Sequence, residues 1–368
     1  FYSLLGEGKA LQYDNSGEYV DIYEKFTSKT IHDSFTVVDH YEHSYDKATG
    51  KCVCGYVCPH SDVDSKTGVC SVCEYQLTAG ISGVGTAKYF DNIDDAFTAA
   101  LSAENSGCTL TLYKDCELSQ NIVIGNATVT VDMNGHSILL AYRIKVNDGG
   151  VLYLKNSGEN GSIETEIDVN KGGTLINGTA DDSRSAVSVF GVTADAAKRV
   201  EIYGGSYEGL TVNNGTSGIA LYGGSYESIN TNDLTDSTPV SALLAKGYAF
   251  ATLNSVTHLP ESIVDGSETN LNPGLENVMV VAHTHTYTET NPKCACGAVL
   301  YAKVTSADGT SNKYFDSIEE GLLYADKAEN KGCVFTLVAR GLLKDKVTLS
   351  SGQFTIATAT TDNTYVIG

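Results

Sequence analysis

The sequence contains no Trp, only 2 Met and only 5 Pro among its 368 residues. No run of about 18 apolar residues occurs, so no segment is long enough to cross a bilayer as a helix. Positive charge is scarce, with 24 Lys and Arg against 45 Asp and Glu and a net charge of −21. That balance argues against a nucleic-acid backbone or an anionic membrane as partner. The chain opens at Phe1 with no stretch that reads as a signal peptide. What it does contain is Gly (37), Tyr (22) and many Thr, Asn and Ser, the composition of a β-rich protein with many tight turns. Apolar residues make up 42% of the chain, enough for real cores, and the length allows two or three domains.

The chain repeats itself. "KYFDNIDDAF" at Lys88 returns as "KYFDSIEEGL" at Lys313, an offset of 225 that also pairs Ala103-Glu104-Asn105 with Ala328-Glu329-Asn330 and Gly107-Cys108 with Gly332-Cys333. Upstream, "LLGEGKAL" at Leu4 echoes "LLAKGYAF" at Leu243, and "TVVDH" ending at His40 echoes "MVVAH" ending at His283. A recurrence of this length signals a modular array. The expected organisation is the end of one module (1–38), two small Cys/His knuckles (39–78), a complete module (79–282), a third knuckle (283–298) and the start of another module (299–368). The out-of-phase ends predict a piece of a longer array.

Within a module, Phe90, Ile93, Phe97 and Leu101 recur at three- and four-residue steps, which predicts a helix with one apolar face. Asp91 suits its N-cap, and Asp316 with Glu319 has a capping-box-like spacing in the second copy. The period then changes to two in "CTLTLYKDCELSQNIVIGNATVTVDMNGHSI", where short strands are separated by Asn-Gly and Gly-Asn turns. "VEIYGGSYEGL" from Val200 recurs as "IALYGGSYESI" from Ile219, an offset of 19 that equals about one coil of a β-solenoid.

This order of helix, alternating strands and repeated "YGGSY" resembles the modules of large bacterial surface proteins, of the kind found in Gram-positive gut commensals. Those modules are right-handed parallel β-helices joined by small zinc-ribbon-like Cys/His knuckles. The resemblance implies a mainly β fold with a short helix capping the N-terminal end of each coil stack. It is specific for fold and weak for function, because β-helices host lyases, hydrolases and pure binders.

The clusters between modules carry the metal chemistry. "HYEHSYDKATGKCVCG" sets His40, His43, Cys52 and Cys54 against His283, His285, Cys294 and Cys296 of "HTHTYTETNPKCACG". "CPHSDVDSKTGVCSVC" then adds Cys58, His60, Cys70 and Cys73. Cys and His in fours suit tetrahedral Zn²⁺, and a short polar hairpin without a core needs the folding energy that a metal supplies. The expectation is about three structural zinc ions, two held by two Cys with two His and one by three Cys with one His. Exchange among Cys52, Cys54 and Cys58 stays open, as does a disulfide reading, which would leave the fixed His spacing unexplained. Cys108 and Cys333 begin equivalent strands and suit small buried positions.

Other motifs weigh less. Arg143, Gly135-His136 and Asp181-Asp182 resemble scattered pieces of a polygalacturonase site, but in the wrong order. "DVDSKTG" from Asp62 lacks the Glu that closes a calcium loop. Asn126, Asn177 and Asn214 match the glycosylation triplet and read as turn residues. Tyr203 and Tyr222 should face outward one coil apart, as a small aromatic step able to bind a glycan or a protein loop, whereas Tyr207 and Tyr226 should return to the core.

These readings predict an extracellular segment, on the bacterial surface or secreted. It would present binding surfaces to a host protein, such as an immunoglobulin or mucin, or to a host glycan. No nucleic acid partner, membrane insertion or catalysis is expected, and the segment should be monomeric within its array. The rival readings are a carbohydrate-active β-helix enzyme and a pure structural spacer.

Overall fold

The computed structural model describes residues 9–14, 16–20, 34–39, 44–54, 56–139, 142–213, 215, 216, 218–231, 240–254, 256–267, 274–287, 291–339, 341, 343 and 346–358. His40, His43, Asn214 and residues 4–8 of the upstream echo lie outside them. The chain divides into two compact units, Phe1–Gly191 and Val192–Gly368. The architecture is a mainly β parallel solenoid with Cys/His clusters, and the described residues contain two α-helices.

In the first unit, Lys9–Tyr13 pairs antiparallel with Phe35–Asp39. After the Cys-bearing hairpins, Ala79–Ser82 pairs antiparallel with both Lys88–Phe90 and Cys108–Leu112. The helix α1, Ile93–Ala100, lies between those last two strands and buries Ile93, Ala96, Phe97 and Ala100. Its N-cap is Asn92, whose side chain accepts from the Asp95 N–H at 2.8 Å. The cap is therefore one residue later than the Asp91 expected, because Asn caps as well as Asp and the acidic residue is used elsewhere.

Beyond Cys108 the strands run parallel. One sheet stacks Cys108–Leu112, Thr128–Asp132, Val151–Lys155 and Thr174–Asn177, and the other stacks Ile122–Ile124, Ile144–Val146 and Ser162–Val169. The register lines up Cys108, Val129, Leu152 and Leu175 in one sheet and Ile122, Ile144 and Ile167 in the other, all buried. Each large aliphatic side chain so buried contributes about 1.5–3 kcal/mol relative to exposure. Asn147 and Asn170 mark the corner between coils, where the Asn170 amide donates to Asn147 Oδ1 at 2.8 Å. This is one rung of an asparagine ladder between coils, whereas the Asn134 amide donates to the Leu112 carbonyl at 3.0 Å. Next to the corner, a Cβ on Gly150 would sit 2.2 Å from the Ile124 carbonyl oxygen and one on Gly173 2.3 Å from that of Val146. Only glycine lets one coil lie so close upon the next.

In the second unit, Arg199–Ile202 pairs parallel with Ile219–Leu221 and Ser206–Val212 with Ser225–Thr231, matching Val200 to Ile219 and Tyr207 to Tyr226. The parallel order then stops. Ser225–Thr231 pairs antiparallel with Leu275–Ala282, which pairs with Tyr248–Leu253, which pairs with Pro260–Ile263. The pair Tyr248–Leu253 and Leu275–Ala282 corresponds to Lys9–Tyr13 and Phe35–Asp39, so the same antiparallel pairing occurs in both units.

The turn joining Tyr248–Leu253 to Pro260–Ile263 is tied by hydrogen bonds to Asn254. Asn254 Oδ1 accepts from the Val256 and Thr257 N–H groups, and the Asn254 carbonyl accepts from His258, at 2.8–2.9 Å. This turn holds Val256 (84% exposed) and Leu259 (63%) out into solvent.

The start of the next module repeats the first. Ala302–Thr305 pairs antiparallel with Asn312–Phe315 and Val334–Leu337, and the last pairs parallel with Thr355–Thr358. The helix α2, Ile318–Ala325, is capped by Ser317, again one residue after the Asp316 expected. Both cysteines at the start of the strand lie over the helix end: the Cys108 thiol is 3.8 Å from the Ala100 carbonyl and that of Cys333 3.6 Å from Ala325. Asp326, at the C-terminus of α2, accepts from the backbone N–H groups of Ser350 (2.6 Å), Ser351 (2.9 Å) and Gly352 (2.7 Å) and from both serine hydroxyls. Those donors, the Ser350 and Gly352 N–H groups foremost, hold its carboxyl well below the usual carboxylate range.

A depressed folded-state pKa contributes stability that is present above the unfolded value, about 4, and is lost as pH falls. Asp326→Asn should therefore lower the thermal transition of the full chain at neutral pH. The gap from wild type should close as pH drops below about 4, as followed by circular-dichroism melts.

Candidate metal centres

Three hairpins of one local form carry the cysteines. In the first, Gly50 N–H donates to the Asp46 carbonyl and Cys52 N–H to Tyr56; in the second, Gly68 donates to Asp64 and Cys70 to Tyr75; in the third, Cys294 donates to Ala298. Asp46 Oδ1 and Asp64 Oδ1 each accept from the N–H two residues on, at 3.0 and 2.8 Å. These are Asx turns, which accounts for "DVDSKTG" without calcium, and Asp62 accepts from the Ser71 hydroxyl at 2.5 Å. Gly50 and Gly68, at φ +65° and +69°, supply the left-handed residue each turn requires. One strand bridge recurs in all three, as Lys51 to Val57, Val69 to Gln76 and Lys293 to Val299.

The second and third hairpins each close a four-residue cluster. The ligand atoms of Cys58, His60, Cys70 and Cys73 all lie within 4.8 Å of one another, and so do those of His283, His285, Cys294 and Cys296. Cys58 thus belongs to the second cluster, which resolves the exchange left open by the sequence. Its Sγ lies 3.8 Å from Cys70 Sγ, and Cys73 Sγ lies 3.4 Å from His60 Nδ1. In the third cluster Cys294 Sγ is 3.1 Å from His283 Nε2 and Cys296 Sγ is 3.2 Å from His285 Nδ1. A tetrahedron with metal–sulfur bonds of about 2.3 Å has sulfur–sulfur edges of about 3.8 Å and sulfur–nitrogen edges of about 3.5 Å. The four edges just given lie within about half an ångström of those values, and the other ligand atoms of each cluster lie within 4.8 Å of one another. A disulfide needs about 2.05 Å, and none of the ten cysteines is in one.

The first cluster is described only in part. Cys52 and Cys54 are buried in a hairpin of the same form, packed with Ala10, Tyr19, Val38, Tyr45 and Tyr56. Their expected partners His40 and His43 lie outside the described residues.

Electrostatics favour a cation in each complete cluster. Burial opposes ionisation of Cys294, but the Cys296 N–H and the His283 ring outweigh it and bring the thiol down to about 5. Burial and the neighbouring Cys294 push Cys296 up to about 11. In the second cluster burial is again overcome at Cys70, by the Cys73 N–H and His60, giving about 6, while burial drives Cys58 to about 12. One thiolate per cluster is thus stable alone, and further thiolates call for a positive ion among them. Four ligands without an open position are the pattern of a structural site.

Tyr203 and Tyr222 stack with ring centroids 4.4 Å apart and 8° between planes, both half-buried. Tyr248 meets Tyr222 edge-on at 5.7 Å, and the Tyr203 hydroxyl donates to Glu201, which pairs with Arg199 at 2.7 Å. Because Tyr203 and Tyr222 cover one another, the step offers ring edges and hydroxyls in place of the faces they share. Tyr207 and Tyr226 are buried in the core, as expected. The polygalacturonase-like pieces have local partners: Arg143 pairs with Glu166 and Asp168, His136 lies 3.5 Å from Asp115, and Asp182 caps the turn Ser183–Ser185. Sequence reasoning missed Tyr75, which stacks on His60 at 5.5 Å, and Tyr287, which lies over His285 at 5.4 Å.

Changing Cys294 to Ser should remove one equivalent of bound metal per chain, and Cys70→Ser should remove another, in elemental analysis of the desalted protein. Far-ultraviolet circular dichroism should change little in either case, because the solenoid cores are built from other residues. Retention of the full metal content by both variants would overturn the assignment.

No protein-family model, no curated protein and no solved structure matches this chain.

Proposed function

We propose that the chain is a segment of an extracellular, repeat-built bacterial surface protein, in which zinc-stapled β-solenoid modules present binding surfaces to a host protein. Zinc is favoured by the mixed thiolate and imidazole donors and by four-fold closure, which suit an ion without redox chemistry or ligand-field preference. The observation that supports the binding role is the exposure of Val256 and Leu259 on a turn hydrogen-bonded to Asn254. The corresponding hairpin of the first unit has Ser16, Gly17 and Glu18 at its tip, all exposed, so the hairpin folds without apolar side chains there. Two aliphatic side chains fixed outward on a preorganised turn suit an apolar pocket on a protein partner. A glycan on the tyrosine step is the second reading, with less support because the stacked rings occupy one another's faces.

The test is capture from host secretions by immobilised full chain, with Val256→Asp/Leu259→Asp compared with Tyr203→Ala/Tyr222→Ala. The tip variant should weaken capture about tenfold or more at an unchanged melting temperature, and the tyrosine variant should retain it. The opposite pattern would favour the glycan, and release of a shortened polysaccharide by wild type would establish the enzyme reading instead.

A further inference from the structure

We propose that Asp316 is the outer-shell partner of the metal-ligating His285, coupling metal loading of the third knuckle to the capping helix of the next module. The inference rests on the metal reading of the third cluster. His285 faces Cys296 through Nδ1 at 3.2 Å and presents Nε2 to the Asp316 carboxylate at 3.5 Å on its other side. An imidazole ligates through the nitrogen that carries no proton, and a carboxylate beside the other nitrogen keeps the proton there. Asp316 thereby selects Nδ1 as the ligating atom and orients the ring. His283 differs, since it faces Cys294 through Nε2 at 3.1 Å.

Asp316 is available for this task because Ser317 caps the helix in its place. Asp316 and His285 are both largely sheltered, at 29% and 20% side-chain exposure, which limits screening by solvent. The residue is also fixed to the helix that it precedes. Phe315 accepts from the Tyr301 N–H through its carbonyl, and Ser317 accepts from Glu320. On its far side the knuckle is held to the preceding module, with the Gly266 N–H donating to the Cys296 carbonyl at 2.9 Å and Lys293 pairing with Asp265 at 2.7 Å.

In the earlier module Asp91 occupies the position equivalent to Asp316, and the ring against the knuckle histidine is that of Tyr75, which stacks on His60 at 5.5 Å. Coupling of this kind is reciprocal: a loaded knuckle stabilises the helix, and a folded helix raises metal affinity.

The test is cobalt titration of the full chain in competition with a chelator, together with hydrogen exchange of residues 318–325. Asp316→Ala should weaken one binding step about 10–100-fold and leave the other steps unchanged, whereas Asp316→Asn, which keeps a neutral acceptor, should lose less. In wild type, chelation should reduce protection of α2, and in Asp316→Ala that protection should no longer depend on metal. A merely structural aspartate would change helix protection without moving any cobalt step. Wild type that takes up no cobalt would overturn the metal reading and this inference with it. Normal uptake with every step unchanged in Asp316→Ala would overturn this inference alone.

Discussion

A coil of a parallel solenoid is stable only while its strand edges are covered. Within a stack the next coil does this, lining up Val129, Leu152 and Leu175 while the backbone groups pair. At the two ends of a stack the same edges would face water as templates for association. The protein closes them with antiparallel strands. Ala79–Ser82 and its partners, under α1, begin one stack, and Tyr248–Leu253 with Leu275–Ala282 ends another. Reversing the chain direction at each end turns a structure that could grow indefinitely into discrete modules, and it sets the places at which linkers must leave.

Those linkers are too short to build cores. A hairpin such as Asp64–Cys73 has an Asx turn, a left-handed glycine and a few bridges, but little apolar surface to offset the entropy of ordering it. Four convergent thiol and imidazole groups supply the missing cohesion once a cation holds them. Without a cation, one thiol per cluster stays protonated or costs heavily to ionise, as at Cys296 and Cys58. The residues are thus poised for an ion and poorly satisfied as a bare hydrogen-bonded set.

Much of this was legible in the sequence, for physical reasons. Alternation places one residue in two inside, so the strands could be read, and a coil's length is a sequence offset, which is why Val200 falls beside Ile219. Four-ligand spacing was legible because metal geometry tolerates few separations. Strand direction was not, since Tyr248–Leu253 is a short, mostly apolar run that reads no differently from a buried parallel strand. The helix caps were misplaced by one residue because adjacent Asp-Asn and Asp-Ser pairs offer two good caps, and only tertiary contact shows which one turns to the helix. That error had a consequence, because it concealed the place of Asp316 beside His285 of the third knuckle.

The hairpin frame also adapts each knuckle to the element next in the chain. The N–H of Cys58 donates to the Gly50 carbonyl, as that of Leu77 does to Gly68 and that of Leu300 to Pro292, so these three residues occupy one position in the repeated hairpin. All three are buried, at 2%, 1% and 0% exposure. Where a solenoid comes next, the position is leucine, and burial against apolar neighbours holds the chain. Where another knuckle comes next, the apolar neighbours are the partly buried Tyr45, Val63 and Tyr75, and the position becomes a cysteine whose sulfur joins the next cluster. A single buried position thus passes from hydrophobic to metal-ligating according to what the next element can supply, which lets knuckles be placed in tandem without a core of their own.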